Sequence, residues 1–332
     1  MVTLRAVAQA SGVSVATASR ALNGLSNVDP AKAQMIRDTA ASMGYVPNAA
    51  ALSLRRARSG NIGILYDDEI FHDYYALLLN ELRVETEKAG YDMSIVSRIM
   101  EEGGSFYSHA LSRNLDGVVI MQADFRSAEI VRLANSEVPA VIVDCDFKDC
   151  NVVLNANTES MEELVDRAYR LGHRRLAFIH GQHGNATDTR LSGFYKGCAE
   201  HGLTVGRDYV IQGVFHDKES ATEATGRLLD LPEPPTCIFY PDDTCAIWGM
   251  KAMKARGLKI GRDISAVGYD GIRMAEMVEP TLATWKQDYR AIARRTVEIL
   301  CYNIENPGTK TAYQVCIRGC FQPGESLGPV SP

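Results

Sequence analysis

Two sets of residues in this 332-residue chain have types and spacings that could do chemistry. The first lies near the N-terminus, where helical periodicity over Ser14 to Arg20 turns Val15, Ala16, Thr17, Ser19 and Arg20 outward. That face is small except for one guanidinium, so it can approach base edges closely, and an arginine can grip guanine through two hydrogen bonds. The second set is dispersed. Apolar runs end in Tyr66-Asp67, Asp144, Phe215, Asp242, Tyr269-Asp270 and Trp285-Lys286-Gln287, and Tyr74, Tyr75 and Arg190 follow such ends closely. Carboxylates accept from hydroxyls, an arginine donates, and rings pack on apolar ligand faces. A single aspartate at such an end is as readily a helix cap as a ligand group, the expected role of Asp217 and Asp243. The whole collection instead suits one small polar molecule held in a cleft.

Catalytic patterns are sparse. There is no Gly-x-Ser-x-Gly elbow and no phosphate-cradling Gly-x-x-x-x-Gly-Lys loop. Asp67/Asp68 and Asp242/Asp243 resemble glycosidase pairs only superficially, because adjacent strand-end residues point different ways. His72, His180, His183 and His216 lack metal-ligand spacing. An enzyme is therefore not expected, nor a metal or cofactor.

The elements that must position the first set are short helices. Thr3 can cap one carrying Leu4, Val7 and Ala8 on a common face, and Gly12 supplies a left-handed turn. Ser14 caps the next, whose inner face is Val13, Ala18, Ala21 and Leu22. Asp29-Pro30 starts a third, with Ala33, Ile36, Ala40 and Met43 as its apolar stripe. Val7, Leu22, Ile36 and Tyr45 can close a small core between them. After Pro47 comes a short alanine- and leucine-rich segment ending in Arg55-Arg56, too short to stay helical alone.

Charge follows the same division. Through Gly60, seven Lys or Arg face two acids, a charge of +5, which leaves −11 for the remainder of a chain whose net charge is −6. Affinity for nucleic acid is thus localised to the N-terminal segment. No apolar run approaches a membrane span, and the N-terminus reads as a DNA-type helix rather than a signal peptide. Eight scattered cysteines without a Cys-x-x-Cys pair read as reduced core thiols, and cytoplasm is the expected compartment.

From Asn61 onward, apolar strands alternate with amphipathic helices. The strands expected are Ile62–Tyr66, Met93–Val96, Gly117–Met121, Ala140–Asp144, Leu176–His180, Val210–Phe215, Cys237–Tyr240 and Ser265–Tyr269. This pattern predicts parallel sheets covered on both faces, in two doubly wound lobes. Ligands bind such sheets beyond the carboxyl ends of their strands.

The stretch Val13–Gly24, VSVATASRALNG, and the run Tyr-Val-Pro-Asn-x-x-Ala-x-x-Leu from Tyr45 to Leu54 make residues 2–56 resemble the headpiece and hinge of LacI/GalR family bacterial transcriptional repressors. Ala18 departs from that pattern, where valine is commoner. The resemblance implies an all-α helix-turn-helix headpiece over 1–46, a hinge helix and linker over 47–60, and an α/β periplasmic-binding-protein type I body over 61–332. Its N-lobe would comprise about 61–157 plus 290–320, and its C-lobe about 158–289 plus the C-terminal end. Chain crossings fall near Asn157, near Lys286–Tyr289 and just before the C-terminus.

Carried over residue by residue, the resemblance puts Val15, Ala16 and Arg20 against major-groove edges and Thr3, Thr17, Ser19, Asn23 and Asn48 on phosphates. Leu54 becomes a minor-groove wedge, and Leu4, Ser14, Tyr45 and Ala51 belong to the same DNA-binding set. A wedge needs its twin across a dyad, which implies a homodimer on a pseudo-palindromic operator, with the Tyr74–Ala89 helix in the dimer interface. In the body, Arg190 within Arg-Leu-Ser-Gly-Phe and Asp270 within Val-Gly-Tyr-Asp match effector-binding positions. Asp242 matches a third, with Phe215, Tyr74 and Tyr75 at aromatic positions. Trp285 is a further stacking candidate with equal claim to the core, and Asp67, Asp144 and Gln287 complete the expected set. The implied effector is a sugar, with a purine as its rival. A secreted sugar-binding protein would share the body but would carry a signal peptide and lack the headpiece.

Overall fold

The computed structural model describes residues 2–24, 27–46, 58–66, 73–96, 105–308 and 311–330. The expected hinge helix, with Asn48, Ala51 and Leu54, and the strand-end Asp67 lie outside them. The backbone divides into two units, Met1–Gly60 and Asn61–Pro332.

The first unit is three capped helices. In α1 (Leu4–Ala10), Thr3 Oγ1 accepts from the Ala6 amide at 3.2 Å. In α2 (Val15–Leu22), Ser14 Oγ accepts from the Thr17 amide at 3.1 Å, and Asp29 does the same for Lys32 at 3.0 Å in α3 (Pro30–Ser42). Each cap satisfies a backbone donor the helix cannot, at roughly 1 kcal/mol apiece. Gly12 bridges α1 and α2 at φ +63°, a left-handed conformation that disfavours any side chain. Val7, Ala8, Ala18, Ala21, Ala33, Ile36 and Ala40 form the core, over which Leu4, Val13, Leu22, Met43 and Tyr45 fold partly buried. Alanine predominates, so the helices approach closely, and Ala18 is wholly enclosed.

The second unit holds two six-stranded sheets. The first contains β1 (Asn61–Tyr66), β2 (Asp92–Val96), β3 (Gly117–Met121), β4 (Ala140–Val143) and β5 (Asn151–Asn155), in the order β11-β5-β4-β3-β1-β2. The second contains β6 (Leu176–His180), β7 (Val210–Gln212), β8 (Cys237–Phe239), β9 (Ser265–Asp270) and β10 (Ala283–Lys286), in the order β12-β10-β9-β8-β6-β7. Late in the chain, β11 (Gln314–Ile317) pairs parallel with β5 in the first sheet, and β12 (Cys320–Gln322) pairs antiparallel with β10 in the second. Three passages therefore join the lobes: after β5, after β10, and between β11 and β12. Strands β5, β10, β11 and β12 are absent from the sequence reading. Of these, β11 and β12 are sheet edges with exposed alternate positions, so they lack the continuous apolar run of an interior strand.

Helices cover both sheets. On the first, α4 (Asp73–Lys88) and the long α11 (Tyr289–Glu305) share one face, where Leu78, Leu82, Val297 and Leu300 pack with Ile62 and Ile64. On the other face Phe106, Ile130 and Leu133 pack with Val118, Ile120 and Ile142, from α5 (Phe106–Ser112) and α6 (Ala128–Ala134). In the second lobe, α7 (Asn157–Arg170) and α8 (Asn185–Glu200) cover one face, while α9 (Lys218–Leu229) and α10 (Asp243–Ala255) cover the other. Cys198, Cys237, Cys245 and Cys150 are buried as expected of core thiols. Cys316 and Cys320 are exposed because their strands are edges.

Gly193 sets the approach of α8 to α7. A Cβ there would collide with the carbonyl oxygen of Thr158 and lie 2.9 Å from Met161 Cβ. Backbone cannot yield as a side-chain tip can, so Gly193→Ala should destabilise the protein by about 1–3 kcal/mol. Thermal denaturation should show a melting temperature lower by several degrees. An unchanged midpoint would mean the helices part without cost.

Candidate DNA-reading surface and effector cleft

On the first unit, the outward face of α2 holds Val15, 44% exposed, with Ala16 and Arg20 also exposed and Thr17 half-buried. Ser19, expected outward, is instead 7% exposed, because it flanks Ala18 and Ala21 on the buried side. Its neighbour Asn23 donates to the Ser19 carbonyl at 2.7 Å and to Ser19 Oγ at 3.3 Å. These two side chains are thus engaged with each other. Ser14 Oγ and Thr17 Oγ1 are similarly paired at 2.8 Å. Leu4 and Tyr45 lean on the core.

In the second unit, a cleft of about 710 Å³ lies at the carboxyl ends of the strands, with walls from both lobes. The backbone turns sharply there: Gln122 after β3, Asp144 after β4, His216 beyond β7 and Asp270 ending β9 have φ of +43°, +66°, +58° and +110°. Four non-glycine residues with positive φ around one cavity represent strain that the surrounding fold maintains, a common trait of ligand sites.

Arg190, also lining the cleft, is 4% exposed. It projects from α8, its guanidinium lies 3.6 Å from the Tyr269 ring centroid, Nε donates to Asn157 Oδ1 at 2.9 Å and Nη1 donates to the Pro241 carbonyl at 2.8 Å. Tyr269 in turn donates to Asn157 Oδ1 at 3.0 Å and pairs with Ser160 Oγ at 2.6 Å. Asn157 opens α7, directly after the first passage between lobes. The strand-end reading includes Tyr269 but not its role under the arginine, and it gives no sign of Asn157, since both act from inside the core.

Facing it, Asp270 Oδ1 accepts from Gln287 Nε2 at 2.6 Å, while its carbonyl accepts from the Tyr289 hydroxyl at 2.6 Å. Burial, abetted by Asp243 and Asp242, holds the Asp270 carboxyl well above its ordinary range against the pull of Arg190. On the N-lobe wall, Asn155 Nδ2 donates to Asp144 Oδ1 at 2.7 Å, and the Tyr74 hydroxyl approaches Asp144 Oδ2 at 3.4 Å. The Tyr74 and Tyr75 rings meet at 4.9 Å and 68°. Burial and the nearby Asp144 push both phenols well above their usual range, so they remain donors. Phe215 sits at the rim with its amide on Gln182 Oε1 at 3.1 Å.

The cleft thus collects Tyr74, Tyr75, Asp144, Arg190, Phe215, Asp270 and Gln287. Two expected members are elsewhere. Trp285 is 2% exposed in the core cluster of Phe178 and Tyr269, because β10 lies inside the second sheet between β9 and β12. Asp242 is 1% exposed and spends both oxygens on backbone: Oδ1 caps α10 through the Cys245 amide at 2.7 Å, and Oδ2 accepts from the His216 amide at 2.9 Å. Burial works against its charge, but the bonds from His216 and the Cys245 amide prevail and lower its pKa. Sequence reading missed Gln122, Phe125 and Thr187, which also line the cleft. Gln122 directly follows β3, so the strand-end rule could have found it.

Asp217 caps α9 through the Ser220 amide at 2.6 Å, whereas Asp243, expected as the cap of α10, does not cap it. Asp243 is wholly buried and accepts from the Ile272 amide at 2.8 Å and the Thr284 hydroxyl. Burial raises its carboxyl to about 8 despite those bonds. An unfolded aspartate ionises near ~4, so this group's stabilisation is complete below that value and is lost as pH rises through about 8. Melting temperature should therefore fall over that window, and Asp243→Asn should flatten the slope. Parallel pH profiles of the two proteins would show that Asp243 ionises normally.

A helix-turn-helix unit followed by two parallel-sheet lobes around a polar cleft defines a DNA-binding transcriptional regulator. Residues 3–48 match bacterial regulatory proteins, lacI family, and residues 165–327 match the periplasmic binding protein-like domain. The chain is 28% identical over 314 residues to the probable HTH-type transcriptional repressor ExuR of Bacillus subtilis (strain 168), covering 93% of this chain and 94% of that protein. Among solved structures, the Lac repressor dimer bound to operator and the anti-inducer ONPF matches at a TM-score of 0.85 and 24% identity, over 98% of this chain and 99% of that one. A CelR–cellobiose complex matches at 0.73 and 23%, over 98% and 100%. The N-terminal segment of this chain is thus a lacI-family DNA-binding domain and its body a periplasmic binding protein-like domain. None of its described helices is long and apolar enough to cross a membrane.

Proposed function

We propose that this regulator is a cytoplasmic repressor whose hold on a pseudo-palindromic operator is set by a sugar bound between its lobes. The observation that carries the effector reading is Arg190, buried and stacked on Tyr269, sharing one cleft with Asp144 and Asp270. Carboxylates accept from sugar hydroxyls, the guanidinium donates to a sugar oxygen, and Phe215 and Tyr75 offer ring surface. The neighbour bound to cellobiose supports a sugar in this fold. Tyr75 packs edge-on to both Tyr74 and Tyr66, at 68° and 72°, so these three rings form no parallel slot for a purine.

The division into headpiece (1–46), hinge (47–60) and body (61–332) assigns the work. Val15, Ala16 and Arg20 read bases, Thr3 and Thr17 position the headpiece on phosphates, and two protomers pair through their N-lobes. A ligand shifts operator affinity only so far as it binds one lobe geometry better than the other. Thermal-shift measurements on the full chain against neutral sugars and nucleobases test the reading. A sugar well above its dissociation constant should raise stability by RT ln(1 + [L]/Kd), about 2.7 kcal/mol at a hundredfold excess. Stabilisation by a nucleobase alone would reject the sugar.

A further inference from the structure

The cleft's donor inventory bears on ligand charge. Arg190 is the one Lys or Arg among its described lining residues, against the acidic side chains of Asp73 and Asp144 and the buried carboxyl of Asp270. A guanidinium grips an anion bidentately by one of two edges, Nε with Nη2 or Nη1 with Nη2. Here Nε is committed to Asn157 Oδ1 at 2.9 Å and Nη1 to the Pro241 carbonyl at 2.8 Å. Each edge therefore has one nitrogen already engaged, and the Tyr269 ring covers one face at 3.6 Å. Two of its five N–H groups are thus given to the protein, and the Nε edge cannot receive an anion side-on.

The other groups point the same way. Gln287 and Thr187 are each 2% exposed, and among the described residues Gln287 Oε1 and Thr187 Oγ1 have no hydrogen-bond partner. The amide oxygen can only accept and the hydroxyl can accept or donate, so both suit a ligand rich in O–H groups. The histidines on the rim bring no uncompensated charge: His183 Nδ1 lies 3.2 Å from Asp188 Oδ1, and His216 Nδ1 lies 3.3 Å from Asp242 Oδ1.

Resting on the reading of this cleft as a sugar site, we infer that it selects uncharged polyhydroxyl ligands and rejects their carboxylate and phosphate counterparts. An anion would meet Asp144 across the cleft, with only the N–H groups of Arg190 not already given to Asn157 and Pro241 to offset the repulsion. The preference is thus built into the arginine's buried partners as much as into the acids.

The test is calorimetric titration of the full chain with matched sets: glucose, glucuronate and glucose 6-phosphate, the corresponding galactose set, and cellobiose with cellobionate. The expected result is that the tightest ligand is neutral and its acidic counterparts bind at least about tenfold more weakly. In Asp144→Asn that gap should narrow, a change that a merely structural role for Asp144 would not produce, since neutral and acidic ligands would then weaken together. An acidic member binding more tightly than its neutral parent overturns the charge preference while leaving the sugar reading intact. Binding by adenine or hypoxanthine with no sugar bound overturns both, and a panel with no neutral binder also overturns the inference.

Discussion

Arg190→Ala should abolish the response to effector while leaving operator binding intact. Arg190 joins the two parts of the cleft: its guanidinium reaches the cavity from α8, while its bonds to Asn157 and Pro241 tie it to the start of α7 and the loop before α10. Truncation removes the ligand's charged donor, takes the Pro241 carbonyl's partner away and leaves Asn157 Oδ1 with the Tyr269 hydroxyl alone. Truncating one partner of a buried, charged hydrogen-bonded set costs roughly 2–5 kcal/mol, enough to lower ligand affinity from about thirtyfold to several thousandfold. The headpiece helices are untouched, so operator affinity without ligand is the internal control for folding. Gel-shift titration of operator DNA with and without saturating sugar checks both halves. A wild-type ligand response in the variant would remove Arg190 from the site, and loss of operator binding would mean that its role is to hold the body together.

Arg20→Ala should weaken binding by about 1–3 kcal/mol at the one base pair it reads and relax preference there. Arg20 sits in the last turn of α2, is exposed, and makes no hydrogen bond or ion pair among the described residues. Its removal therefore leaves the headpiece core of Val7, Ala18, Ala21 and Ile36 unchanged. Beside it, Val15 and Ala16 are small enough to bring the guanidinium within reach of a base edge. The check is binding to a set of operators altered one base pair at a time. Equal weakening on every sequence, with a reduced salt slope, would make Arg20 a phosphate contact instead.

Several cleft residues were legible in the sequence because strand ends are. Asp144, Phe215 and Asp270 close apolar runs, and in a parallel sheet that position faces the ligand crevice. The same rule fails for Asp242 and Trp285. An aspartate at a strand end is also at a helix start, and at Asp242 two backbone amides, of Cys245 and His216, claim its oxygens. Trp285 is decided by sheet order: β10 has β9 on one side and β12 on the other, and β12 arrives from far along the chain. Local pattern carries no information about that pairing. Ser19 illustrates the same limit on a helix, where periodicity alone left its angular position on the outward side and three-helix packing put it inside.

The sequence by itself determined what kind of molecule this is. Cap residues, the Gly12 turn and the alternation of strands with helices are local signals, and the headpiece stretch from Val13 to Gly24 is read without reference to anything distant. Only the tertiary structure decided how the cleft is wired. The bonds from Arg190 to Asn157 and Pro241 span 33 and 51 residues of chain, and that from Gln287 to Asp270 spans 17. Whether a guanidinium is free to grip an anion depends on who already holds it, and those partners come together only when two sheets and three passages of chain have folded around one cavity.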